Sequence, residues 1–295
     1  MLTTCNSTMS ITTWGEAVDY CFAHHDAWRH GAGRQAAQIN TNHFTRLRGL
    51  SFPVSKITAP TILQVSLELE EEGKSNATIN RIISAVSKPL NFGAQMMVLP
   101  TWQPCKFVRR KEADRKPEYY TKAEVAQLAA CAVDPFQRDD LKDVINFAAY
   151  TGLRRGEIIN LKAKDVDLGR GLIHVGGRKD NRTKSNHYRS IPIHTHIVEM
   201  LGRRIDGVKR TVAIFGDQWG NPTELSRAFM KVKNFLDFDE GYGFHTLRHS
   251  FATWHVEAGT PIITLQQLMG HARIDTTLIY AKATDNARRE AMSNI

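Results

Sequence analysis

The sequence is short of the features that mark several whole classes of protein. Cysteine is scarce: Cys5, Cys21, Cys105 and Cys131 are widely spaced, with no C-x-x-C pair. That argues against a disulfide framework or a cysteine-based zinc site, and fits reduced thiols packed as small hydrophobes. No apolar run approaches the about 18 residues of a transmembrane helix. The start, Met1 to Ser10, is polar and lacks the apolar stretch of a secretory signal. A cytoplasmic protein with no membrane partner is therefore expected. Internal repeats, low-complexity tracts and an H-E-x-x-H motif are also missing, so nothing points to a solenoid or a metalloprotease.

What is present is an ordinary globular composition with an excess of positive charge. The 295 residues leave room for two domains, and 42% hydrophobic with 23% charged residues suits packed cores. The net charge of +9 and a pI near 9.4 favour a polyanionic partner, nucleic acid first. A merely soluble basic protein would read the same way on charge alone.

The first hundred residues have helical periodicity. Trp14, Ala17, Val18, Cys21, Phe22 and Trp28 share a face behind the candidate caps Thr12 and Thr13. A second helix follows Pro60 over Thr61 to Glu72, where Glu70, Glu71 and Glu72 read as a solvated face. Ser75 is placed to cap a third, with Ile79, Ile82, Ile83 and Val86 inward and Pro89 expected to kink or end it. Pro100, Pro104 and Pro117 then bracket residues 106–116, which hold six basic and two acidic residues. This stretch reads as an interdomain linker, either a plain solvated loop or a cationic strap in which Arg109, Arg110 and Lys111 meet a phosphate backbone.

Beyond the linker, Thr121-Lys122-Ala123-Glu124 forms a capping box, and a helix over about Asp139 to Tyr150 stops at Gly152. After a short helix through Ile158, Ile159 and Leu161, the period changes. Gly171 to Val175 and Tyr188 to Ile193 read as a hairpin joined by a basic connection. Helices are expected to resume after His245, with Gly259 ending one and Asp275 capping the last.

Five residues stand in a suggestive order. Arg154 sits in Thr151-Gly152-Leu153-Arg154-Arg155-Gly156-Glu157, and His245 and Arg248 in His245-Thr246-Leu247-Arg248-His249. His271 comes 23 residues after Arg248, and Tyr280 nine after His271. A phosphodiester attacked by oxygen gains negative charge on its oxygens, which arginine's fork stabilises best. Imidazoles donate to phosphate oxygens or move protons, and a tyrosine hydroxyl serves as a nucleophile whose phenolate can leave again. Each residue also has a plain reading. Arg154 and Glu157 could be a helix ion pair, His245 and His249 could share a metal but lack a third ligand, and Tyr280 beside Leu278 and Ile279 could be core. The ordered set favours the chemistry.

On these boxes, over roughly Thr121 to Ala281, the second half resembles the catalytic domain of the tyrosine recombinases, the phage-integrase family. Phe251 and Ala252 continue the second box, and Leu268-Met269-Gly270-His271 resembles the third, with Met269 in place of its usual leucine. The resemblance implies a mainly α fold with a small β-sheet, in which a helical, SAM-like core-DNA-binding domain (1–104) and a basic linker (105–118) precede the catalytic domain with its tail (119–295). It implies that Arg154, His245, Arg248, His271 and Tyr280 are catalytic and that Glu157 braces them. The family also takes a hairpin lysine as general acid. Thr183-Lys184 ahead of Arg189 and Pro192 matches that pattern best, and Lys179 competes with Lys184.

Further implications are a 3′-phosphotyrosyl intermediate, no cofactor and no metal. The expected partners are double-stranded core sites bound by a dimer, paired sites held by a tetramer, and accessory DNA-bending or directionality factors. The tail beyond Ala281 is expected to dock on a neighbouring protomer. With only about ten residues before the first helix, an arm-binding domain is not expected. Integration or excision of a mobile element is the leading role. Xer-like resolution or inversion, a type IB topoisomerase-like relaxase and a non-cutting DNA-binding protein are the alternatives.

Overall fold

The computed structural model describes residues 10–31, 33–112, 117–176, 188–219 and 221–281. The chain forms two compact units, Met1–Asp114 and Arg115–Ile295. Among the described residues the architecture is mainly helical with one small sheet.

The first unit holds α1 (Trp14–His24), α2 (Asp26–Arg29), α3 (Arg34–Arg48), α4 (Ala59–Glu71) and α5 (Asn76–Gln95). Thr13 and Glu16 close a capping box on α1, which satisfies orphan N–H groups at its start. Trp28 does not continue α1: the chain breaks at His25, and Trp28 lies in α2 against Phe22. α3 carries no strong sequence signal, yet it buries Phe44 edge-on to Trp14, ring centroids 4.8 Å apart. Pro89 lies inside α5 and does not end it, so of the two expected outcomes, a kink or a stop, the stop does not occur. It removes one helix hydrogen bond, but it is itself buried beside Val86 and Leu90, whose burial favours continuing the helix.

Residues 106–112 are docked on this unit. Phe107 is in its core. The buried Asn80 exchanges bonds with the Arg110 backbone, accepting its N–H at 2.9 Å and donating to its carbonyl at 2.9 Å. The Arg109 guanidinium donates to the Asn80 carbonyl and to Ser84 Oγ, both at 2.6 Å, and Arg110 pairs with Glu70 at 2.7 Å. Asn76 donates to the Lys111 carbonyl at 2.8 Å. The candidate DNA-contacting stretch is therefore a fitted strap up to residue 112, and two of the three candidate contacts, Arg109 and Arg110, are already engaged.

The second unit starts with α6 (Lys122–Val133), α7 (Asp139–Thr151) and α8 (Arg155–Ile159). A three-stranded antiparallel sheet follows, β1 (Val166–Asp167), β2 (Leu172–Val175) and β3 (Arg189–Pro192), in that spatial order. Val166 pairs with Ile173, Ile173 with Ile191, and Val175 with Arg189. The alternation buries Ile173, Val175 and Ile191. Pro192 is tolerated because β3 is an edge strand. The remaining helices are α9 (Thr195–Ile205), α10 (Pro222–Phe235), α11 (Thr246–Glu257), α12 (Ile262–Met269) and α13 (Asp275–Ala281). Thus helices resume well before His245: α9 and α10 bury Ile197, Leu201, Leu225 and Phe229 in the main core. A separate small cluster of Phe251, Ala252, Leu265, Met269 and Tyr280 joins α11, α12 and α13.

Candidate active site

Two glycines turn the chain at helix ends and set the site's walls. Gly152 closes α7 and Gly270 closes α12, both in the left-handed region at φ 62° and 64°. Neither has room for a side chain: a Cβ at Gly152 would collide with the Phe251 ring, and one at Gly270 would lie 2.7 Å from an Arg189 guanidinium nitrogen.

The carbonyls at these helix ends hold the cations. Arg248, in the first turn of α11, donates to the Gly152 carbonyl and, at 2.7 Å, to the Met269 carbonyl. Arg154 reaches the Gly270 carbonyl at 3.4 Å. Helix C-termini carry partial negative charge, so they compensate buried guanidinium. Arg248 is only 2% exposed. Burial, with Arg154 beside it, lowers its pKa to about 9, and it stays charged at neutral pH. These bonds use two of its five N–H donors, and the side chain still borders the cavity.

Glu157 braces this layer. Its carboxylate accepts from the Arg154 backbone N–H at 2.9 Å and side chain at 3.1 Å, and from Arg189 of β3 at 2.7 and 3.3 Å. Burial pushes its pKa up, but the bonds and charge of Arg189, then Arg154, outweigh that and hold it below the usual value. Arg189 also donates to the Leu268 carbonyl at 2.9 Å.

His271 is fixed from three directions. Its N–H reaches the Gln266 carbonyl at 3.1 Å, its carbonyl accepts from Gln266 Nε2 at 3.1 Å, and its Nδ1 lies 2.8 Å from Thr277 Oγ1. Burial, followed by the nearby arginines, pulls its pKa down to about 4. His245 keeps an exposed face, yet it is also lowered, by the protein packed around its ring and then by Arg248, Arg154 and Arg155.

Tyr280 is buried on α13, 2% exposed. Burial pushes its hydroxyl up to about 12, while Arg248 and Arg154 pull the other way. The hydroxyl lies 2.6 Å from His249 Nδ1.

Arg154, His245, Arg248, His249, His271 and Tyr280 all line one open cavity of about 410 Å³. So the five residues picked out by order converge on one space, and Glu157 lies directly behind Arg154. Lys184 and its competitor Lys179 fall outside the described residues, as does the chain beyond Ala281. Arg109, Arg110 and Lys111 belong to the other unit.

Two site residues escaped the sequence reading in these roles. In the sequence His249 reads as a possible metal ligand with His245 and as the end of the His245–His249 box. Arg189 served only to set the lysine's register. The signal for His249 was its place directly after Arg248, one turn from His245 on the same helix. Nothing in the sequence pairs Arg189 with Glu157. Among the described residues no group of three or more histidine, cysteine or carboxylate side chains is arranged to hold a metal ion.

A buried tyrosine hydroxyl facing two arginines and several neutral imidazoles is the equipment of a phosphoryl-transfer enzyme with a tyrosine nucleophile. Residues 118–287, more than half the chain, match the phage integrase family, and the chain belongs to that family, the tyrosine recombinases. It is 30% identical over 240 residues to the integrase of Escherichia phage P2, covering 81% of this chain and 65% of that one. It is 29% identical over 241 residues to tyrosine recombinase XerD of Oceanobacillus iheyensis, covering 78% and 79%. In fold it is similar to the Tn1549 transposon integrase solved with a circular intermediate DNA: TM-score 0.76, 19% identity, 96% and 99% of the two chains.

Proposed function

We propose that this chain is a site-specific recombinase that breaks and rejoins DNA through Tyr280, most specifically to integrate and excise a mobile element. The observation that carries the reading is the convergence of Tyr280 with Arg154, His245, Arg248 and His271 on one cavity open to solvent. A scissile phosphate seated there has guanidinium donors for its non-bridging oxygens. Tyr280 Oη attacks phosphorus, the bond to the 5′ oxygen breaks, and a 3′-phosphotyrosyl link retains the bond energy. A 5′ hydroxyl from a partner duplex reverses the step. We assign Lys184 as the proton donor to the leaving oxygen. The mobile-element role is supported by the likeness to the phage P2 integrase.

We assign core-site binding to the helical first unit and strand cleavage to the second. Each protomer offers one Tyr280, and exchange between two duplexes requires four strand cuts. A dimer on each core site and a tetramer on the pair follow. The reading places the protein with DNA in the cytoplasm of its host. Among the described residues no helix is long and apolar enough to cross a membrane.

The test is covalent capture. A pool of nicked duplexes with randomised arms is incubated with the protein, and denaturation-resistant adducts are recovered and sequenced. Wild type is expected to yield adducts on a consensus with inverted arms, and Tyr280→Phe none. Adducts formed by Tyr280→Phe, or by no protein at all, overturn the reading. Joining of two captured sites separates a recombinase from a relaxase.

A further inference from the structure

A phenol attacking phosphorus must lose its proton as the new bond forms. Among the described residues, the imidazole in hydrogen-bond contact with that hydroxyl is His249, 2.6 Å away, with ring centroids 5.7 Å apart. The other two imidazoles of the cavity make their side-chain contacts elsewhere. His271 has its Nδ1 on Thr277. His245 packs edge-on against His249 at 5.1 Å.

We propose that His249 is the proton acceptor for Tyr280. With its own proton on Nε2, the imidazole accepts the phenolic hydrogen bond at Nδ1, fixes Oη on the cavity wall, and takes the proton during attack. The inference rests on the recombinase reading and adds a catalytic residue to it. As Oη bonds to phosphorus, the O–H proton passes to Nδ1 and the P–O5′ bond breaks. The departing oxygen takes its proton from a separate donor. On rejoining, the incoming 5′ hydroxyl displaces Oη, and the imidazolium returns its proton.

The surroundings keep this acceptor free of a proton before the attack. His249 is faced by His245 and Arg248 from its own helix, by Tyr280 from α13, and by the cavity residues Arg154 and His271. Burial, followed by His245 and Arg248, lowers its pKa to about 4, so the ring is neutral and able to accept at neutral pH. Tyr280, pushed up to about 12, does not ionise in advance. The proton must therefore move in step with the attack. A seated phosphate adds negative charge beside His249, which stabilises the imidazolium when it forms.

The experiment uses the full chain and a captured nicked duplex, and measures adduct formation against pH. His249→Ala is expected to slow adduct formation by about a hundredfold or more, the scale of a lost general base, with duplex affinity unchanged. Added imidazole restores part of the rate. His249→Asn keeps an acceptor near the Nδ1 position but no basic nitrogen. It is expected to fold, remain slow, and lose the acid limb that wild type shows. Wild-type rates in the Asn variant, or a slow Ala variant that ignores imidazole and retains the acid limb, overturn the proposal. Absence of any wild-type adduct would instead remove the recombinase reading beneath it.

Discussion

Glu157 and Arg189 form a buried ion pair, 2.7 Å apart, with side chains 6% and 8% exposed. The pair ties the Arg154 turn to β3, and β3 follows the connection that carries Lys184. Removing one partner strands the other's charge in the interior, a change that costs about 3–5 kcal/mol. Glu157→Ala is expected to show a loss of that order in urea unfolding and to cut adduct formation, because Arg154 loses its brace. The Glu157 pKa is lowered on folding. Its contribution is therefore present above the unfolded carboxylate value and fades as pH falls through the folded one. An Ala variant as stable as wild type at pH 7 would show that the pair is incidental.

The two arginines facing the cavity should separate in their effects on stability. Both Arg154→Ala and Arg248→Ala are expected to slow cleavage by about a hundredfold or more, as for lost transition-state donors. Arg248, however, also joins the ends of α7 and α12 through the Gly152 and Met269 carbonyls. Its removal leaves two buried acceptors unpaired, costing about 1–3 kcal/mol each at most. Arg154 is 30% exposed at its side chain and its bond to Gly270 is long, so Arg154→Ala should unfold close to wild type. Equal melting of the two variants would contradict this division.

Much of the site was legible because its residues sit at helix ends, where sequence signals are strongest. Gly152 was readable as a helix stop and Thr121 as a cap, and the boxes around Arg154, Arg248 and His271 lie within a few residues of such signals. What stayed hidden depends on partners distant in sequence. Arg189 is 32 residues from Glu157, and His249 is 31 from Tyr280. No local period encodes either pairing. α3 was missed because Ala37, Thr41 and Phe44 make a sparse apolar stripe on a polar helix. Pro89 shows the opposite case: the helix continues through a local stop signal because the proline and its neighbours are buried.

The fitted strap changes what salt dependence should report. If Arg109, Arg110 and Lys111 all contacted phosphate, neutralising them together would flatten log affinity against log salt by about three contacts. Arg109 and Arg110 already serve Asn80, Ser84 and Glu70. The triple change to Gln is therefore expected to reduce the slope by only about one contact and to loosen the strap, seen as faster proteolysis near residue 109. A three-contact loss with an unchanged proteolytic pattern would mean that DNA draws both arginines away from the helices.

The imidazoles of the cavity predict how stability responds to acid. His249 and His271 have folded pKa values of about 4, below the ordinary 6.5. Between those values the unfolded chain binds more protons than the folded one, so unfolding free energy falls as pH drops from 6.5 toward 4. Each histidine contributes about 1–2 kcal/mol at neutral pH once partial solvent access is allowed for. The contribution is complete above pH 6.5 and absent below about 4. His249→Asn removes one titrating group, so its stability should decline less steeply across this window, whatever its stability at pH 7. Urea unfolding of both proteins at several pH values between 7.5 and 4.5 measures the difference, on the order of the contribution of one histidine. Binding of a duplex should reverse part of the trend, since a phosphate in the cavity stabilises protonated imidazole and draws its pKa back up. Parallel curves for wild type and variant would place the acid sensitivity at other groups, such as His194 and His255, whose pKa values burial also lowers.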